Sequence, residues 1–320
     1  MERVKAVEVI SPGPLTTIQD LGRYGLGRYG IPPSGGLDPF SLRVANLLVG
    51  NREDEACIET TLMGLKVRAL TDLIIAITGG DLQPHLNDAP FAMWRSLMIR
   101  KDDVLHFKGL KAGCRAYLAI GGGISLEPVL GSKSTNLISG FGGYEGRNLR
   151  KGDILFITSP FDYFNSTMRA LDKNRIPVYT KDWVLRILWG PQDTEFTPES
   201  KTNFLDSPFK VTPMSDRTGM RLSGPLIHRK EGVSESIISE GVVPGSIQVP
   251  GDGQPIIILV ETVTGGYRKI ATIISADIPL LGQIKPGDQI QFAAFSLEQA
   301  LFALREMETT IAHLRGEKGS

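Results

Sequence analysis

The stretch Gly241–Tyr267, GVVPGSIQVPGDGQPIIILVETVTGGY, decides the fold. Within it, Ser246-Ile247-Gln248-Val249 alternates polar and apolar side chains, the period of a strand with one buried face. Pro255–Val260 is almost wholly apolar, as in a strand covered on both sides. Between them, Pro250-Gly251-Asp252-Gly253 supplies the positive φ that a tight hairpin needs, and Thr264-Gly265-Gly266 ends the second strand. Gln248 and Gln254 flank the turn, and Thr264-Gly265-Gly266-Tyr267 brings bare backbone N–H groups to its far end. Backbone donors beside carboxamides suit a small planar ligand such as a carboxylate, a ureido group or a lactam. A well-formed hairpin with no ligand is the competing account of the same residues.

Working outward, 320 residues exceed most single domains, so two domains are expected. Lys+Arg and Asp+Glu are equal at 35 each, which leaves no basic field for nucleic acid or an anionic membrane. The high Gly count of 36 and Pro count of 20, with glycines at strand ends, point to a mainly β protein with short strands and tight turns. Cys57 and Cys114 are far apart and read as buried apolar fillers. The first residues lack the apolar core of a signal peptide, and no apolar run reaches the roughly 20 residues of a membrane span. A soluble, reducing, cytoplasmic setting is therefore expected.

In chain order, Val4–Ile10 alternates as a first strand, and Thr16–Asp38 reads as a long glycine-studded loop. A helix follows, with Asp38 as N-cap, Pro39 at its first position, and Phe40, Val44, Leu47 and Leu48 as its stripe. Lys101–Phe107, Lys151–Phe156 and Lys285–Phe292 share one form, a basic residue with Gly or Asp in a turn, then a strand ending in Phe. The recurrence suggests two related β-domains, 1–158 and 183–320, joined by a connection over 159–182 where Pro, Asn, Lys and Asp break the strand pattern. Shared turn chemistry alone is the alternative. Thr197-Pro198-Glu199 opens a short helix, and Ser296 with Gln299 caps a terminal one. Leu297, Leu301, Leu304, Ile311 and Leu314 give that helix an apolar face expected to pack on the core.

Several signatures are absent. Gly131-Ser132-Lys133-Ser134-Thr135 lacks the glycines of a phosphate loop, and Gly140–Gly146 misses the dinucleotide spacing. The four histidines have no partner four residues away, so no metal is expected. What remains is polar residues at loop positions: Gln19, Asp20, Arg23, Ser34 and Asp38 in the first half, and Ser215–Leu222 in the second. Arg217 and Arg221, four residues apart, are placed to fork a carboxylate, unless Asp216-Arg217 is simply a surface turn.

Taken in order, TTIQDLGRYG (Thr16–Gly25), PPSGGLDPFSLRVANLLVGN (Pro32–Asn51), GSKST (Gly131–Thr135), GFGGYEGRNLRKGD (Gly140–Asp153), SDRTGMRLSGP (Ser215–Pro225), EGVVPGSIQVPGDGQPI (Glu240–Ile256), TGGY (Thr264–Tyr267) and KIATIISAD (Lys269–Asp277) run through nearly the whole chain. On these residues the chain resembles the KipA family, the C-type subunits of 5-oxoprolinase, related to the biotin-dependent carboxyltransferase domain of urea carboxylase. The resemblance implies two cyclophilin-like β-barrel domains with a C-terminal helix. It also implies two partners, a KipI-like one (the B-type subunit of 5-oxoprolinase) and a LamB/YcsF-like one (the A-type subunit). The implied activity is a share in ATP-dependent opening of 5-oxoproline to glutamate, with ATP used at the level of the complex. In that role Gln248, Gln254 and the Gly265-Gly266 backbone would bind the lactam and Arg217 and Arg221 its carboxylate, with Arg23, Thr264 and Tyr267 as further substrate-binding residues. Asp20 or Asp216 would act as base. Two alternatives stay open: carboxyl transfer with biotin carried on another chain, and a non-enzymatic antagonist that binds a KipI-like kinase inhibitor. One departure bears on substrate: where relatives carry Asp-Arg-Gln-Thr-Thr, this chain has Val260-Glu261-Thr262-Val263-Thr264.

Overall fold

The computed structural model describes residues 3–158 and 168–316, so residues 159–167 of the expected connection lie outside the described residues. The chain divides into two compact units. The first draws its described residues from Met1–Arg23, Ser34–Tyr179 and Thr309–Ser320, the second from Tyr24–Pro33 and Thr180–Glu308. The architecture is mainly β, as expected.

In the first unit the strands form a six-stranded and a five-stranded sheet. The six-stranded one runs Ile154–Ile157, Val4–Pro12, Leu65–Ala69, Val104–Phe107, Pro84–Leu86, Ala89–Pro90. The five-stranded one runs Leu15–Gln19, Cys57–Thr61, Ala112–Ile120, Leu73–Asp81, Ser96–Ile99. Alternate residues of both, among them Val7, Ile18, Ile58, Val67, Ile75, Leu105 and Leu118, share one core. The helix Pro39–Leu48 lies against the central strands Leu73–Asp81 and Ala112–Ile120, its Asp38 cap accepting the Ser41 N–H at 2.8 Å. Leu15–Gln19 is a strand where the polar sequence suggested loop. Its threonines are buried because Thr16 Oγ1 reaches both the Pro12 carbonyl (2.5 Å) and Thr60 Oγ1 (2.9 Å). Cys57 and Cys114 are buried and free.

In the second unit seven strands close into a barrel in the order Asp182–Trp189, Arg268–Ile273, Ser246–Val249, Ile256–Ile258, Gly219–Ser223, Phe209–Ser215, Gln289–Ala294. Closure comes from parallel pairing of Asp182–Trp189 with Gln289–Ala294, the first and last strands of the unit. The helix Pro198–Asp206, capped by Thr197, inserts Phe204 against Phe292 with ring centroids 4.4 Å apart. The expected hairpin is present, pairing Ile247 with Ile257 and Gln248 with Ile256. Its second strand stops at Ile258, and Val260-Glu261 already turns.

The three recurrent motifs fold alike. In each, an Asp side chain accepts the backbone N–H three residues earlier: Asp103 from Arg100 (2.7 Å), Asp153 from Arg150 (2.7 Å), Asp288 from Lys285 (3.2 Å). The residue before each Asp has positive φ, 71° at Asp102, 89° at Gly152 and 95° at Gly287, as a type II turn requires. That residue donates to a neighbouring strand in all three, to Ala69, Val9 and Val211.

The terminal helix Leu297–Arg315 is capped as expected, Ser296 N–H reaching Gln299 Oε1 (2.9 Å) and Gln299 N–H reaching Ser296 Oγ (3.2 Å). Its expected apolar face packs only in part. Leu297 and Leu301 are 63 % and 44 % exposed, as is the neighbouring Phe302 at 65 %, while Leu304 and Leu314 are half-buried and Ile311, with Ala300, is buried. Among the described residues no helix is long and apolar enough to cross a membrane.

Candidate functional site in the barrel unit

Strand register on the outer face of the barrel builds the site. Gln248 lies opposite both Lys269 and Ile256, and Ile256 lies opposite Arg221, so Lys269, Gln248, Ile256 and Arg221 form one row across four strands. The alternate residues, Ile247, Ile257 and Met220, fill the barrel interior. The polar positions of Ser246–Val249 do face outward, yet Ser246 and Gln248 are buried, Gln248 because a second layer lies over it. That layer is the ribbon Glu240–Gly241 paired with Thr264–Gly265.

Side chains tie the ribbon down. The Lys269 ammonium bonds the Glu240 carboxylate, and Gln192 Nε2 donates to the same oxygen at 2.9 Å. The Lys269 contact holds the Glu240 carboxyl below the usual carboxylate range. Gln248 Nε2 donates to the Tyr267 carbonyl at 3.2 Å. A methyl group at Gly265 would stand 2.2 Å from Gln248 Nε2, so the bare backbone at that position is what lets the carboxamide lie under the ribbon.

Between ribbon and barrel lies a cleft of about 310 Å³, the lower end of the range for small-molecule sites. Its floor is Gln248, Ile256 and Ile258. One side is Asp216, Thr218, Gly219 and Arg221 with Met214 at the edge, and the other is Thr262, Thr264, Gly265, Gly266 and Tyr267. Asp216 Oδ1 accepts the N–H groups of Thr218 (2.7 Å) and Gly219 (3.1 Å), which leaves Oδ2 without a hydrogen bond among the described residues. The lining offers one carboxamide, one guanidinium, one carboxylate oxygen and several hydroxyls over an apolar floor. It can hold a flat polar ring and neutralise an acid; it contains no Cys, Ser or His nucleophile.

The expected site residues thus divide. Asp216, Arg221, Gln248, Thr264, Gly265, Gly266 and Tyr267 share the cleft. Arg217 does not join Arg221 in a fork: it turns inward, 6 % exposed, and pairs with buried Glu261 (Nε to Oε1 3.4 Å). Gln254 also points elsewhere, its carboxamide paired twice with the Gly224 backbone at 2.9 and 3.1 Å. Not read from the sequence were the apolar floor, Thr218, Met214, Thr262, and the Gln192–Glu240–Lys269 tether. The tether has no local signal, since it depends on a ribbon of two residues per strand.

Asp20 and Arg23 belong to the first unit and have a different task. The Asp20 carboxylate accepts from Gly22 N–H (2.8 Å), Ser132 Oγ (2.6 Å), Ser134 Oγ (2.5 Å) and Lys133 N–H (2.6 Å). Both oxygens are engaged, so the base expected there is a clamp for the Gly131–Thr135 loop. The anion cradled by this phosphate-loop-like sequence is the protein's own carboxylate, and Lys133 reaches away to Glu55 at 2.5 Å. Arg23, 3 % exposed, donates to the Ser134 carbonyl (2.5 Å) and lies 4.8 Å over the Phe141 ring, which holds the glycine loop beside it.

Similarity to known proteins extends over nearly the whole chain. The family model for the carboxyltransferase domain, subdomain A and B, matches residues 29–294. The chain is 39 % identical over 304 residues to the C subunit of 5-oxoprolinase from Escherichia coli K12, covering 94 % of this chain and 95 % of that protein. It is 37 % identical over 333 residues to urea amidolyase of Lachancea kluyveri, covering 98 % of this chain but 18 % of the relative. The crystal structure of the K. lactis urea amidolyase superposes with a TM-score of 0.91 at 33 % identity, over 100 % of this chain and 20 % of that one. The chain therefore corresponds to a minor part of the amidolyases and to nearly all of the 5-oxoprolinase subunit.

Proposed function

The chain belongs to the carboxyltransferase domain family, and on that footing we propose that it is the ring-binding subunit of an ATP-dependent 5-oxoprolinase complex. The observation that supports this reading is the cleft, which brings together seven of the residues expected to bind or act on the ring, in a chain that matches one 5-oxoprolinase subunit over nearly its full length. The lactam lies on Ile256 and Ile258, its N–H donated to Gln248 Oε1 and its carboxylate paired with Arg221. Asp216 Oδ2 is the group available to take a proton from attacking water. ATP supplies activation of the lactam carbonyl, but the residues of this chain do not fit it: the Gly131–Thr135 loop is closed on Asp20. Nucleotide handling is assigned to the KipI-like and LamB/YcsF-like subunits, in a cytoplasmic hetero-oligomer.

Mixing this chain with those two partners, ATP and 5-oxoproline should release glutamate. Arg221→Ala should raise KM for 5-oxoproline by about tenfold or more with a smaller change in kcat, as expected for loss of a charge-assisted hydrogen bond. Unchanged KM would remove Arg221 from the site. Superposition on urea amidolyase favours a second reading, in which the same cleft receives a carboxylated ureido ring from biotin on another chain. Turnover only with carboxybiotin would establish it, and complex formation with no turnover of either substrate would favour the antagonist role.

A further inference from the structure

The segment Leu21–Gly30 contains Arg-Tyr-Gly twice, at Arg23-Tyr24-Gly25 and Arg28-Tyr29-Gly30. The two copies are used differently. Arg23 is buried in the first unit against the Ser134 carbonyl and Phe141. Arg28 lies in Tyr24–Pro33, the segment that groups with the barrel unit, and is exposed. One turn of 3-10 helix, Gly27–Tyr29, presents it, closed by the Gly30 N–H on the Gly27 carbonyl with Gly30 at φ 75°. Its guanidinium lies 4.7 Å over the Tyr29 ring, and among the described residues no carboxylate pairs with it.

The position of this turn gives it meaning. A side-chain carbon at Gly27 would lie 3.8 Å from Val263, and Val263 sits between Thr262 and Thr264, both of which line the cleft. Gly27 therefore lies close to the segment that forms one wall of the cleft, and the next residue carries a guanidinium stacked on an aromatic ring. A cation without a carboxylate, held beside a polar cleft whose own lining has one arginine, is suited to a second anionic or carbonyl group of a bound ligand.

We propose that Arg28, backed by Tyr29, is a specificity-determining residue of the cleft, closing over the exposed edge of a small anionic ring bound on Gln248 and Arg221. This rests on the cleft being the ligand site. Arg28→Ala and Arg28→Lys are both exposed changes in a one-turn helix, so folding is not at stake. In the complex of this chain with its partner subunits, Arg28→Ala should raise KM for 5-oxoproline about tenfold with kcat nearly unchanged, and Arg28→Lys should recover most of the loss. Trypsin cleavage after Arg28 in the full chain should slow when the ring ligand is present. Protection by 5-oxoproline together with the KM shift supports both the residue and the substrate. Protection by biotin's ureido ring but not by 5-oxoproline keeps the residue and discards the 5-oxoprolinase reading. Turnover of 5-oxoproline with an unmoved KM in Arg28→Ala keeps the 5-oxoprolinase reading and discards the residue. No protection by either ring, with KM unmoved, overturns the proposal.

Discussion

Arg217 and Arg221 carry the same charge four residues apart and end in opposite environments, because a turn separates them. Arg221 is the third residue of Gly219–Ser223, whose alternation sends Met220 and Leu222 inward and Arg221 out to the cleft. Arg217 precedes the strand, where its carbonyl accepts the N–H groups of Val260 and Glu261 and its side chain follows them inward to the Glu261 carboxylate. Removing one member of a buried ion pair strands the other charge. Arg217→Ala should therefore destabilise the barrel unit by about 3–5 kcal/mol, read as a shift in urea midpoint. Arg221→Ala should leave that midpoint alone, being exposed. Equal midpoints for the two variants would mean that the Arg217–Glu261 pair contributes nothing. Gly265→Ala tests the cleft in another way: its methyl group would displace the Gln248 carboxamide, so ligand affinity should fall while the midpoint moves little. Calorimetric titration with 5-oxoproline separates the two effects, and unaltered affinity would show that Gln248 is not a contact.

The three Asp turns are the element most plainly written in the sequence, and they make a prediction in pH. Asp153 is partly buried, which opposes its ionisation, but the Arg147 guanidinium (2.8 and 3.0 Å) and the Arg150 N–H (2.7 Å) outweigh that and hold its carboxyl below the ordinary range. The unfolded chain thus takes up this proton first as pH falls. The stabilisation is complete above the ordinary carboxylate value near 4 and is lost as pH drops through the lower folded value. Asp153→Asn should cost about 1–3 kcal/mol at neutral pH, and the gap between variant and parent should close as the pH falls below the ordinary carboxylate range, followed by thermal unfolding. A gap constant with pH would assign the cost to shape and not to charge. The helix caps at Asp38, Thr197 and Ser296 and the 246–258 hairpin were equally legible, since each rests on contacts within a few residues. Leu15–Gln19 was not, because its strand is held by a buried threonine ladder that apolar periodicity does not register. Nor was the exposure of Leu297 and Leu301: amphipathic spacing tells which residues share a face, not which edge of that face is covered. At 65 % exposure, Phe302→Ala should cost well under the roughly 3–5 kcal/mol of a core aromatic. A core-sized loss on calorimetry would place that side chain inside.

At the scale of the whole chain, sequence spacing says which residue types occur, while register says which of them meet. Gln248 and Arg221 stand 27 positions apart and share a row only because Ile256 pairs with each. Gln254 and Arg217, nearer in sequence to those same residues, are directed away from the cleft by the Gly224 backbone and Glu261. The chain also crosses its own division into units, since residues from Thr309 onward group with the first unit while the helix that contains them begins in the second. In the first unit that helix end buries Ile311 completely, bonds Arg175 through Thr310 (2.7 Å) and pairs Arg315 with Glu53 (2.8 Å). The three tryptophans can report on this separately: Trp94 packs beside Phe40 in the first unit, while Trp183, bonded to Asp288 at 3.0 Å, and Trp189 belong to the barrel. Ile311→Ala should cost about 2–5 kcal/mol, as for other buried aliphatic truncations. In a Trp183→Phe, Trp189→Phe background the urea midpoint read by Trp94 should fall by that amount. In a Trp94→Phe background the barrel tryptophans should keep their parental midpoint, because every strand of the barrel is complete by Ala294. Parallel loss in both backgrounds would mean that the terminal helix braces the barrel as well, and that the two units unfold as one cooperative body.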